Sequence, residues 1–405
     1  MRFDIHLRHE VRTRLAEVAG EMCAWEGAAT LDADDSRRLR DSIRFFGHTT
    51  ATGPLLCAGV DGSGDFPSLA YGDSFVYLTV AQGSAYVAEV TQGLREVDLG
   101  QRMLFDAAWI PEAEPQRSLA WDAAFSRLSG MDVHEAVTKS DYRTLKAQFS
   151  GRRTNVDQLV QQLIRPAASD SSNAAIQLRT TGELSMALRL LEGLGDAGSS
   201  RLRILVFDST LSLPLVTRRD VSLFYEHLKR LCCVQARQHG VVLVGLSKSH
   251  GLPGIEHVEE AAREVAKCGR GEVAEHWFLR VPTQEGDGWT LPSTDGRRIP
   301  PAGAVTYLVR FHRNVPVLRV DFDAGYWADN LSNEVSVRKV FEALDYCSHD
   351  QRCFGYPYPV KAGHDRASLT EAERVALRKQ LIDEAVRAGL KRSLFRNASA
   401  ATGHA

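Results

Sequence analysis

The spacing of apolar and polar residues changes several times along the chain. Val11, Leu15, Val18 and Met22 recur at helical intervals and place one apolar stripe on an N-terminal helix. The charged stretch 32–44 reads as the solvated face of a further helix, so residues 1–50 are expected to form a helical region. The period then shifts. Residues 55–60 are a continuous apolar run ending in Asp61-Gly62-Ser63-Gly64, which predicts a buried strand entering a tight turn. Residues 74–80 and 84–90 are β-rich runs separated by Gln82-Gly83, which predicts a meander of antiparallel strands.

From 131 to about 200 the signal is helical, clearest over 158–164 and 184–194, with Ser169 to Ser172 as a break. Residues 202–207 form a second buried apolar run, ending in Asp208; a helix is expected over 221–238. Residues 241–246 form a third such run, ending at Ser247-Lys248. Residues 286–301 are polar and rich in Gly and Pro, as in a mobile connection, and β-rich runs follow at 304–311 and 315–322. Thr370-Glu371-Ala372-Glu373 is a capping box that opens a helix running to about 388, with Gly389 as its stop. Three continuous apolar strands separated by helices fit a sheet covered on both faces. The expected fold is α/β: an RNase H-like mixed β-sheet core, spanning 51–395, with helical additions at both ends. Within it, 131–200 is a helical insertion; residues 396–405 are expected to be a disordered tail.

Composition narrows the class. The 405 residues are 44% hydrophobic and 25% charged, as in globular proteins and unlike disordered or fibrous chains. No segment has the run of about 18 apolar residues that a membrane span needs. The start, Met1-Arg2-Phe3-Asp4, is too polar for a secretory signal, so a cytoplasmic location and no membrane partner are expected. Lys plus Arg number 49 against 51 Asp plus Glu, net −2, so any basic surface must be local. Arg152-Arg153, Arg218-Arg219 and Arg297-Arg298 are local basic pairs. The seven cysteines, an odd count with no C-x-x-C, read as reduced thiols. Cys347, His349 and Cys353 invite a zinc reading, but their spacing fits no common zinc module.

The candidate chemistry lies at the strand ends. Asp61 and Asp208 each follow an apolar strand and precede small residues. An Asp there often caps a helix or forms a turn. If the two strands are neighbours, however, the carboxylates meet, and like charges held together call for a divalent cation. Carboxylate oxygens suit Mg²⁺ or Mn²⁺, which can clamp a phosphodiester for hydrolysis, and small neighbours would let a phosphate backbone approach. Asp65 and Asp73 read as turn residues. Lys248, after the third strand, could pair with a phosphate. His364, before the C-terminal helix, could ligate a metal or orient water. For a third acid the helix before Asp208 offers Glu183, preferred, and Glu192.

Four blocks of the chain resemble the NurA nuclease family: Gly59-Val60-Asp61-Gly62-Ser63, Val206-Phe207-Asp208-Ser209-Thr210-Leu211, Val244-Gly245-Leu246-Ser247-Lys248, and Tyr356-Pro357 through His364. They follow the family's order over roughly residues 55–390. The resemblance implies an RNase H-like fold and a Mn²⁺- or Mg²⁺-dependent deoxyribonuclease, both an exonuclease (5′-to-3′) and a single-strand endonuclease. It also implies a homodimer working on DNA with a HerA-type hexameric ATPase, in end processing or anti-phage defence. By position Asp61, Asp208 and Glu183 would be metal ligands, His364 a ligand or base, and Lys248 and Arg310 DNA contacts. Ser209, Gly363 and Arg310 depart from the family's glycine, alanine and lysine. The Ser209 departure motivates an alternative, a weak or inactive adaptor docking on the ring ATPase. Two further rivals are weaker. A sugar-kinase-like ATP site would need a second Asp-x-Gly turn, which Asp208-Ser209-Thr210 lacks. A serine hydrolase would need a nucleophile elbow, and Gly245 to Ser249 lacks its final glycine.

Overall fold

The computed structural model describes residues 8–26, 31–64, 67–89, 93–151, 153–213, 221–248, 255–268, 276–291, 302–312, 315–350 and 353–396. Twelve strands occur in that part of the chain: β1 (Arg44–Phe46), β2 (Leu55–Ser63), β3 (Pro67–Tyr71), β4 (Ser74–Glu89), β5 (Gly93–Glu96), β6 (Leu104–Ile110), β7 (Leu202–Phe207), β8 (Val242–Ser247), β9 (His276–Arg280), β10 (Ala304–Arg310), β11 (Leu318–Asp323) and β12 (Phe395–Arg396). The chain divides into two compact units.

The smaller unit gathers residues 1–47, 248–300 and 306–319. In it β9 lies between β1 and β10, antiparallel to both. The helices Ala33–Ser42 and Ile255–Cys268 contribute Leu39, Val258 and Ala262 to a core with Trp277, Leu279 and Leu308. The helix His9–Glu26 forms as the apolar spacing predicts, but Leu15 and Met22 of its stripe are exposed.

The larger unit holds the strand order β11-β8-β7-β2-β4-β3-β12, with β5 and β6 also on β4. β2, β7 and β8 are mutually parallel, whereas β4 runs antiparallel to β2, so the sheet is mixed as the pattern predicts. The three apolar runs become β2, β7 and β8 because both of their faces are covered. Leu56, Ala58 and Val60 pack into a core with Leu184, Ala187 and Leu191 of the long helix Ser171–Asp196 and with Leu228 and Leu231 of the helix Phe224–His239. The helix Tyr358–Ala367 covers the other face of β2. A Cβ on Gly59 would lie 2.3 Å from the Pro359 carbonyl carbon and the Val360 nitrogen, so only glycine lets that helix approach.

Two local expectations fail. Gln82-Gly83 is no turn: residues 74–89 form one strand, with Asp61 paired to Gln82 and Val60 to Gly83. The glycine serves packing, since a Cβ there would sit 2.6 Å from Leu190 Cδ1. Asp61-Gly62 likewise does not begin the turn, because β2 continues through Ser63. The capping box at Thr370 forms as expected, the Thr370 hydroxyl accepting from the Glu373 N–H and the Glu373 carboxylate accepting from the Thr370 N–H. Asp73 stands in the two-residue turn from β3 to β4. Asp65, Arg152, Arg218-Arg219, Arg297-Arg298, most of the connection expected at 286–301 and the tail 397–405 lie outside the described residues.

Candidate functional site

The register of two parallel strands builds the site. β2 and β7 pair as Cys57↔Ile204, Gly59↔Val206 and Val60↔Phe207. One step further come Asp61, still within β2, and Asp208, just past the end of β7, and the charges of both act on the buried hydroxyl of Tyr356. Neither acid caps a helix. Asp61 lies within β2, and Asp208 follows β7 with Ser209 N–H turned back to Phe207 O at 2.9 Å. Asp61 is buried and Asp208 half-buried.

The face of β2 that carries Asp61 is the one covered by the helix Tyr358–Ala367, and two side chains from its N-terminal approach and last turn complete the group. His364 Nδ1 lies 2.8 Å from Asp61 Oδ2, while Asp61 Oδ1 accepts the Gly62 N–H at 2.7 Å. The imidazole is half-exposed, with Nε2 3.4 Å from Ser368 Oγ. Gly363 allows the approach, since a Cβ there would stand 3.3 Å from the Asp61 nitrogen and 3.2 Å from Gln82 O. Tyr356 is buried facing the acids. Burial first, then the negative charges of Asp208 and Asp61, push its hydroxyl well above the ordinary phenol range. It therefore stays a hydrogen-bond donor.

Glu183 arrives at the same strand end from the opposite side. It sits on the helix Ser171–Asp196, its Oε1 3.2 Å from Arg179 Nε. A Cβ on Gly62 would come within 2.7 Å of Glu183 Cγ. Successive residues of a strand point to opposite faces. Glu183 thus meets β2 one residue beyond Asp61 and on the other face. The room left by Gly62 is filled by Glu183 rather than kept for a phosphate backbone. Glu192 is exposed, further along the same helix.

The loop after Asp208 is fixed from beneath. Asp321 in β11 is fully buried, and its Oδ2 accepts the N–H groups of Leu211 and Ser212 at 3.1 and 3.2 Å. Gly245 in β8 makes space for that loop, because a Cβ there would lie 2.7 Å from Ser209 O and 2.8 Å from Leu211 N. It is the backbone of Ser209 that packs against Gly245.

Asp61, Asp208 and His364 therefore lie together on one side of β2, and Glu183 meets the same strand from the other. Tyr356 joins them; its only signal was a place in the fourth block. Lys248 follows β8 directly and is exposed; it counts with the smaller unit. Arg310, in β10, belongs to the smaller unit too, with Glu259 Oε1 at 3.8 Å. His349 is grouped with His48 and Asp345, and Cys347 lies buried beside Cys57.

No protein-family model matches the chain, and no curated protein matches it. Solved structures do. The NurA nuclease from Sulfolobus solfataricus is 12% identical, with a TM-score of 0.49 over 95% of this chain and 99% of that one. A structure of NurA with manganese is 10% identical, with a TM-score of 0.40 over 95% of this chain and 99% of that one. Endonuclease V from Streptomyces avermitilis is 12% identical, with a TM-score of 0.28 over 88% of this chain and 97% of that one.

Proposed function

We propose that the chain is a divalent-metal-dependent nuclease that hydrolyses phosphodiester bonds in DNA. The observation that supports this most is the register that sets Asp61 beside Asp208 on adjacent parallel strands. Open α/β sheets bind ligands at the carboxyl ends of such strands. Two carboxylates held side by side under a helix are costly without a cation between them. Each oxygen of Asp61 has one hydrogen-bond partner and keeps a second lone pair. Asp61 and Asp208 would hold the ion, with His364 beside them, whereas Glu183, a third ligand by the resemblance, meets β2 on its other face; oxygen donors with one imidazole suit Mn²⁺ or Mg²⁺. Such an ion lowers the pKa of bound water and offsets charge on phosphate.

The protein's own groups do the rest. Asp61 anchors His364 through Nδ1 and leaves Nε2 to take a proton from an attacking water. That water's oxygen bonds to phosphorus as the bond to the leaving oxygen breaks. Tyr356, kept protonated, donates towards Asp208 and holds its carboxylate in place. The finer reading follows the four-block resemblance: exonuclease and single-strand endonuclease action, 5′-to-3′, with Mn²⁺ and by a cytoplasmic homodimer. A HerA-type ring ATPase would feed it DNA in end processing or phage defence. Lys248 and Arg310 would contact the DNA backbone.

The test is cleavage of linear single- and double-stranded DNA with Mn²⁺. Asp61→Asn and Asp208→Asn should each lower the rate at least about 100-fold, the scale of lost transition-state stabilisation, with circular dichroism unchanged. Wild-type rates in either variant would remove the assignment. An adaptor would cleave in neither the presence nor the absence of the ATPase.

A further inference from the structure

Away from the acid pair, in the same unit, a second group of donors surrounds Asp345. This carboxylate sits near the end of the helix Glu334–Cys347 and is fully buried. His349 follows it by four residues, just past the end of the helix. His48 comes from the segment that leads into β2. One donor atom from each lies within 4.8 Å of the others. The Thr49 N–H donates to Asp345 Oδ2 at 2.7 Å and pins that segment beside the helix. The two imidazole rings lie with centroids 3.7 Å apart and planes tilted by 47°.

From this geometry we infer that His48, Asp345 and His349 form a zinc site, distinct from the acid pair, that clips the entry of β2 to the helix Glu334–Cys347. His48 Nδ1 stands 3.3 Å from Asp345 Oδ2, and His349 Nδ1 3.4 Å from Asp345 Oδ1. Charge-assisted N–H···O bonds are shorter, about 2.7–2.9 Å. By contrast, two ligands bound tetrahedrally to one zinc at about 2.0–2.1 Å stand about 3.3–3.4 Å apart, the spacing between His48 and Asp345. His349 Nδ1 is engaged elsewhere: it donates to the Asp345 backbone carbonyl at 2.6 Å. That bond fixes the ring and places the lone pair on Nε2, the usual support of a ligating histidine. Two imidazoles and a carboxylate suit zinc better than Mg²⁺. His349 lies two residues past the helix end, and its ring turns back onto Asp345. No step of DNA hydrolysis is assigned to these residues; their role is to hold the strand that carries Asp61.

The test uses the full chain carrying Asp61→Asn and Asp208→Asn, so that the acid pair does not compete for metal. After chelator treatment and dialysis, titration with ZnCl₂ in a calorimeter should show one zinc bound per chain, and zinc should raise the unfolding temperature by several degrees. Adding His48→Ala, whose side chain is half-exposed, or His349→Gln should weaken zinc binding at least about tenfold. Failure of the chain with all three side chains intact to bind zinc would overturn the site, and no altered ligand could excuse that result. Undiminished binding after both histidine changes would overturn it as well. MnCl₂ bound as tightly as ZnCl₂ would overturn the choice of metal.

Discussion

Around Asp61 each hydrogen bond has a separate source: the next peptide for Oδ1 and a helix 303 positions away for Oδ2. The first can be read in a sequence, because Asp-Gly favours it. The second depends on where the helix Tyr358–Ala367 lands. Tyr356 belongs to this scale. Its raised titration keeps the phenol protonated, and so able to donate, well above the ordinary phenol range. Tyr356→Phe keeps the buried ring and removes only the hydroxyl. It should lower DNA cleavage about tenfold to 100-fold with the far-ultraviolet spectrum unchanged; an unaltered rate would detach Tyr356 from the reaction. Asp321 was not singled out from its sequence neighbourhood, since an Asp inside an apolar strand shows its purpose only when the loop it supports is seen beside it.

At the scale of elements, glycines set how closely the helices approach the sheet. Gly59 meets the backbone of Pro359 and Val360, which cannot rotate away, whereas Gly363 meets its neighbours at 3.2–3.5 Å. Gly59→Ala should therefore cost about 1–3 kcal/mol in denaturant unfolding, as overpacking does, and move His364 off Asp61. Gly363→Ala should cost less and retain most of the cleavage. Equal losses for the two would show that the helix is not held at Gly59. The three buried strands were legible as apolar runs, and the last long helix from its capping box. The single long β4 was not. Gly83 reads as a turn in sequence because the residue that needs its missing side chain, Leu190, is more than 100 positions away.

For the molecule as a whole, buried titratable groups tie stability to pH. His227 is fully enclosed, its Nε2 3.0 Å from Ser222 Oγ. Burial first, then the charge of Lys146, push its imidazole down to about 3 from an ordinary 6.5. The folded chain thus keeps His227 neutral where the unfolded chain protonates it. Above about 6.5 the group contributes no pH dependence. Between 6.5 and 3 the unfolded state binds the extra proton, and stability falls by up to about 1.4 kcal/mol per pH unit as pH drops. His227→Gln should flatten that part of the curve when unfolding free energies at pH 7 and pH 5 are compared with those of the parent. The same slope in both would exclude His227 as the source. Glu226 and Lys146, which face the same interior, stay in place in both proteins, so the comparison isolates one group.

The sequence by itself determined what local forces decide: which runs are apolar enough to lie inside a sheet, where helices begin, and that two acids directly follow such runs. It also carried the four-block resemblance. Tertiary structure alone decided that β2 and β7 are neighbours in a register that sets Asp61 against Asp208, and that Glu183 reaches β2 under Gly62. It alone joined His48 to Asp345 across almost 300 positions. These pairings have no sequence period, because they arise when distant surfaces bury one another, and burial is specified by the partner as much as by the residue.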